Sequence, residues 1–147
     1  MVAADDFETI HWHDNAIHGI RIVEGEDDSG GELILDIDFI LEWLPAENNA
    51  FKFKLAPADL AFHDVSDLVI CVDYASATAS VQPMMIHEIH REVVRYPNGY
   101  SSYAWKIEIN WPPKGFISFR SKGFTQVLRM QPFIFGAQYL SPSQRKP

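Results

Sequence analysis

The chain has 147 residues and a single cysteine. A lone thiol forms no internal disulfide, so a disulfide-stapled scaffold is excluded. Cys71 falls in the apolar run "LVICV", where a thiol is expected to be buried packing material and unreactive. Long apolar runs are missing too: nothing approaches the ~18 residues of a membrane-crossing helix. The acidic opening "MVAADDFETIHW" lacks the basic start and apolar middle of a secretory signal. These absences predict a reduced, cytoplasmic setting with no membrane partner. Gly-rich phosphate loops and the G-x-S-x-G nucleophile elbow are also absent. "HEIHRE" spaces its histidines three apart, whereas the H-E-x-x-H zinc motif needs four.

Basic residues are scarce in one half of the chain. Residues 1–73 hold 17 Asp/Glu and 3 Lys/Arg, whereas residues 74–147 hold 3 and 9. The overall charge of −8 argues against nucleic acid as a partner, because that surface needs a cationic footprint. The asymmetry has two readings. Either the halves pair in one sheet and neutralise each other, or an acidic face awaits a basic partner. In the second reading the partner surface is Glu24 with Glu26, Asp27 and Asp28 of the turn "GEDDSGG" that follows it, and Asp36 and Asp38 beyond.

What is present is alternation with a period of two, the signature of strands. Residues 16–24 form a first strand. "ELILDIDFILEWL" (32–44) is the clearest: odd positions from Leu33 to Trp43 are apolar and face a core, while Asp36, Asp38 and Glu42 face water. At ~3.3 Å per residue it is long for one strand and calls for a bulge. "FKFKL" (51–55) returns, and pairing Glu42 with Lys52 sets Trp43 opposite Phe51. Another strand covers 66–73. Residues 84–94 read as either a short helix, through Met85, Ile89 and Val93, or the first arm of a hairpin that turns at "PNG" and returns in "YAWKIEINW". The hairpin is preferred, with His90 opposite Glu108 and Glu108 near Arg120. The expected fold is therefore mainly β, an antiparallel sheet forming a sandwich or half-barrel. One β-rich domain spans 1–140, with a flexible tail at 141–147.

Two stretches carry the candidate chemistry. Trp12-His13-Asp14 leads to Ile20 and Ile22, and Phe62-His63-Asp64 leads to Ile70 and Val72 at the same offsets. One reading is structural: the aromatic is buried, and the Asp accepts hydrogen bonds from backbone N–H groups just beyond it, as in an Asx turn. The other is a binding site built from Trp12, His13, Asp14, His63 and Asp64. A metal version would use His11, His13 and His63, since neutral imidazole is a common ligand. However, zinc wants three or four ligands in a tetrahedral array, and no full set is apparent. No cofactor is called for. Asp36 and Asp38 lie about 7 Å apart on one face, a spacing that a carboxylate pair for glycoside hydrolysis also uses.

The segments "WHDNAIHGIRI", "GELILDIDFILEW", "FHDV" before a strand and "GFISFRSKGFTQVLRMQP" resemble small bacterial proteins of unassigned function. The "WHD" opening before a strand is similar to that of some immunity proteins of bacterial toxin systems. That resemblance implies an intracellular bacterial protein that binds a protein partner, and it transfers no site residues. The expected function is a non-enzymatic, antitoxin-like interaction module, with a protein partner or a homo-oligomer. The alternatives are a metal- or His-dependent hydrolase on the two His-Asp stretches, and a small-ligand β cavity lined by Trp and Tyr.

Overall fold

The computed structural model describes residues 2–26, 30–75 and 82–146. Asp27 and Asp28 lie outside the described residues. In chain order the strands are β1 (Val2–Ala3), β2 (Ala16–Val23), β3 (Gly31–Pro45), β4 (Phe51–Cys71), β5 (Met84–Arg95), β6 (Ser101–Trp111), β7 (Gly115–Ser121), β8 (Gly123–Leu128) and β9 (Phe133–Phe135). Short 3-10 turns occupy Ala4–Thr9 and Glu47–Asn49. The protein is mainly β and its strand pairings are antiparallel.

Hydrogen bonding runs in a ring. From β4 it passes to β3, β2, β5, β6 and β7, and β7 pairs back onto the end of β4. The link between β2 and β5 is narrow, Ala16↔Met85 and Ile17↔Met84. Along the other edge of β4 lie β9, β8 and β7 in turn, facing residues 53–55, 58–63 and 66–71. Thus β4 belongs to two walls of one half-barrel.

Inside sits the main core: Leu33, Leu35 and Ile37 of β3, Leu60 and Phe62 of β4, and Trp105 and Ile107 of β6, among others. Each large side chain buried this way stabilises the fold by about 1.5–3 kcal/mol. Phe62, Trp105, Phe119 and Phe124 meet at centroid separations from 4.7 to 6.4 Å, within the range for favourable aromatic pairs. A second, smaller core of Ile40, Phe53, Leu55 and Leu140, flanked by Phe133 and Phe135, lies on the opposite face of β3 and β4.

Alternation lets β3 serve both cores, with Leu33, Leu35 and Ile37 on one face and Ile40 on the other, and a bulge follows Ile40. Its register with β4 shifts between Ile40 and Glu42, so one extra residue, Leu41, reverses which positions face which side. Leu33, Leu35 and Ile37 point into the half-barrel as expected. Beyond the bulge the odd positions turn away, leaving Leu41 40% and Trp43 43% exposed. The turn closes with Pro45 opposite Phe51, so Glu42 faces Lys54 and Trp43 faces Phe53. The expected Glu42–Lys52 register is off by two.

Residues 84–94 are strand, the preferred of the two readings, and pair in a hairpin with β6. Other expectations are corrected. The hairpin's register places His90 opposite Lys106, with Glu88 opposite Glu108. The segments 51–55 and 66–73 are parts of one strand, β4, which Asp64 and Asp67 bend by adopting φ of 53° each. Asp tolerates the left-handed region better than most residues because its short side chain hydrogen-bonds locally. Cys71 is exposed rather than buried, since the end of β4 has passed beyond the core.

Residues 136–146 fold back over β2 and β3, and Arg145 is 8% exposed. Arg145 ties this segment to β3 through ion pairs with Asp36 and Asp38 that period-two patterning does not reveal.

Candidate functional site

The two His-Asp stretches share a backbone device. Asp14 has φ 63° and Asp64 has φ 53°, so each aspartate makes a left-handed turn in the chain. The aromatic before each is buried, with Trp12 at 4% and Phe62 at 1% exposure. Both rings pack on Phe124, Trp12 at a centroid distance of 5.5 Å and Phe62 at 6.1 Å. Trp12 also donates its indole N–H to Gln126 Oε1 at 2.9 Å.

Beyond the aromatics the stretches diverge. His13 donates Nδ1–H to the His87 carbonyl at 2.8 Å, which fixes the tautomer because a carbonyl only accepts. His63 is held 3.3 Å from Glu32 and 3.0 Å from Thr125. Asp14 accepts from Asn110 and Gln138, each at 3.3 Å. Asp64 accepts the Gly30 N–H at 3.1 Å and an ion pair from Lys122 at 3.0 Å. None of these donors lies just beyond its aspartate, so both carboxylates tie distant segments together instead of closing Asx turns. The Lys122 ammonium holds the Asp64 carboxyl below its ordinary range, and Asp64 in turn raises the Lys122 ammonium.

His13 thus belongs with β5, and His63 with β3 and β8. They have no bonding partner in common, and among the described residues no group of three His, Cys, Asp or Glu side chains is arranged to hold a metal ion. His11 joins His13 and His87 around a cleft of ≈ 400 Å³ floored by Phe7, Ile10 and Trp12. Across the sheet, His90 lies 3.2 Å from Glu108 and 3.7 Å from Glu88. Arg120, expected near Glu108, bonds Tyr96 and Asp67 instead.

The acidic residues of β3 are committed internally. Asp38 is fully buried. It accepts from His18 Nε2 and from the Leu140 N–H, each at 2.7 Å, and pairs with the Arg145 guanidinium. Asp36 is shared between Arg145 and Arg129, and Arg129 also reaches Asp59 at 3.4 Å. A carboxylate removed from water is tolerable only with this many donors. Asp36 and Asp38 therefore do not form a free partner surface, and the two arginines that neutralise them come from the basic half of the chain. Glu24 and Glu26 are exposed.

Sequence reasoning missed this cluster. Leu140 and Arg145 stand 102 and 107 residues from Asp38, and His18 occupies a strand position that looks solvated. Asp38 flanked by Ile37 and Phe39 is a signal, but it reads equally well as a wet strand face.

The hairpin joining β3 and β4 ends in exposed aromatics. Trp43 packs edge-on to Phe51 and Phe53, at 5.9 and 4.9 Å between centroids, and Phe51 is 50% exposed. A cleft of ≈ 660 Å³ beside them is bounded by Pro45, Ala46, Phe51, Lys52 and Gly136. Glu42 and Glu47 are exposed nearby.

No known protein-family model matches this chain, and no curated protein does.

Proposed function

We propose that the chain is a non-enzymatic interaction module with an antitoxin-like role, binding a basic protein partner through the end of the β3–β4 hairpin. The observation that carries this reading is the exposed aromatic group there, Trp43 at 43%, Phe51 at 50% and Leu41 at 40%. Clustered apolar surface of this kind marks interaction sites, and Trp in particular anchors them. The bulge at Leu41 is what turns Trp43 away from the half-barrel interior. The net charge of −8 attracts a basic partner over long range and speeds encounter. The acidic contribution to contact falls to Glu42 and Glu47 at the hairpin and to exposed Glu24, since Asp36 and Asp38 are occupied. The half-barrel interior is filled by its own side chains, which favours surface recognition over an internal ligand cavity.

The test is binding of a purified partner, first identified by cross-linking to the unmodified chain. Trp43→Ser/Phe51→Ser is expected to weaken binding by about tenfold or more while leaving the unfolding midpoint nearly unchanged. Affinity should also fall as salt rises. Equal affinity in the double variant would overturn the hairpin-end assignment, and salt-independent binding would overturn the basic partner.

A further inference from the structure

Three features of the C-terminal segment combine. First, β8 and β9 run in the same direction along one edge of β4. Leu128 faces Ala58 and Phe133 faces Leu55. Four residues, 129–132, thus span a gap that β4 crosses with two, and the chain leaves the ladder without reversing. Pro57 of β4 lies opposite this excursion, accepting the Arg129 N–H at 2.8 Å. A proline is tolerated there because no ladder donor is required of it.

Second, the chain beyond the excursion is held by few but specific contacts. β9 pairs over three residues only. Leu140 is fully buried against Ile40, Phe53 and Leu55. The Leu140 N–H and the Arg145 guanidinium supply two of the three groups bonded to the buried Asp38. The groove on β2–β4 is therefore a built receptor for this one segment. Its recognition elements are an apolar pocket for Leu140 and a buried carboxylate for a main-chain N–H and an arginine.

Third, the residues flanking the excursion are exposed and apolar: Val127 at 45%, Leu128 at 36% and Ile134 at 58%. Leu128 and Ile134 stand on the same face, opposite Ala58 and Lys54.

We infer that residues 133–146 exchange between two copies of this chain, each copy's segment docking in the other's groove. Every contact the docked segment makes with the groove is the same in either arrangement, so docking energy does not oppose exchange. The difference lies at the excursion. In the exchanged dimer the excursions of the two copies run side by side, and Leu128 and Ile134 are covered by their counterparts. In the single chain they face water. Burying them favours the dimer, and the single chain persists at low concentration because its own segment is always nearby.

The experiment uses full-length chains in which Cys71 is replaced by serine. Ile40→Cys and Leu140→Cys place thiols on two side chains that touch inside the groove. The chain carrying both is the reference and is expected to close an internal disulfide. Chains carrying one each are mixed at high concentration, unfolded, refolded together and oxidised. Exchange predicts a disulfide-linked species of twice the mass, since residue 40 of one chain meets residue 140 only through docking of the other's segment. Bridging in the reference with no linked species in the mixture overturns the proposal. Should the reference not bridge, light scattering on the unmodified chain decides: rising mass with concentration supports exchange, and a monomer throughout overturns it. Leu128→Ser/Ile134→Ser is expected to lower the dimer share at least threefold, and an unchanged share overturns the role of the flanking residues.

Discussion

The main core and the smaller one behind β3 are built on opposite principles. Inside the half-barrel, aliphatic and aromatic side chains from β3, β4, β6, β7 and β8 interdigitate, and stability comes from apolar area removed from water. Behind β3, four buried apolar residues share their space with a fully buried carboxylate and a nearly buried arginine. There, geometry matters more than area. A buried ion pair contributes little net stability over an apolar replacement, but removing one member strands the other. The first core accepts many solutions of equal volume. The second accepts one segment in one placement.

The largest expected effect is in the first core. Phe62→Ala removes a ring that touches Trp105, Phe119 and Phe124 and should cost about 3–5 kcal/mol in urea unfolding. All parts of the fold should weaken together.

Arg145→Ala should cost about 3 kcal/mol by leaving Asp38 buried with only His18 and the Leu140 N–H. Its signature is locality. Hydrogen exchange at Leu140 and along β9 should accelerate, while β6 amides stay protected. Asp38→Ala/Arg145→Ala should cost less than the two single changes added, because the double variant strands no charge. Equal weakening of both cores would erase the distinction drawn between them.

Gly31→Ala tests the close approach that starts β3. A Cβ there would lie 2.4 Å from the Val23 carbonyl oxygen, so a loss of about 1–3 kcal/mol is expected from the forced backbone shift. The reading is the urea midpoint.

The Asp64–Lys122 pair should give a small pH dependence at both extremes. The folded Asp64 value is depressed, so its contribution is present above the unfolded value, about 3.9, and fades as pH falls through the folded one. The folded Lys122 value is raised, so its contribution is present below about 10.4 and fades as pH rises through the folded one. Asp64→Asn keeps a residue suited to the left-handed turn and should flatten both limbs relative to the unmodified chain. Exposure and salt keep the effect small. The smallest change in stability is expected for Trp43→Ser, which should instead be felt in partner binding.

Much of the main core was legible as alternation. Leu33, Leu35 and Ile37 are buried as their period of two requires, and the hairpin of β5 and β6 is consistent with turn chemistry at "PNG". Registers were not legible, because each is set by where its turn closes, with Pro45 opposite Phe51 and Arg95 opposite Ser101, and an offset of two leaves the alternation intact. The continuity of β4 was hidden for a similar reason: His63-Asp64 looks like a strand entry, yet the chain merely bends there. Aromatic burial in both His-Asp stretches was legible. The partners of the two aspartates were not, since Gly30, Asn110, Lys122 and Gln138 are distant in sequence.

By itself, the amino-acid order determined that the chain is an antiparallel β protein and, between bulges, which side chains of a strand share a face, because side-chain alternation is a local property of extended backbone. Only the tertiary structure decided which faces meet, that Asp38 is buried rather than wet, and that Arg145 reaches back to neutralise it. A carboxylate's burial depends on what the rest of the chain lays over it, and the same Asp between two apolar neighbours is consistent with either outcome until Leu140 and Arg145 are in place.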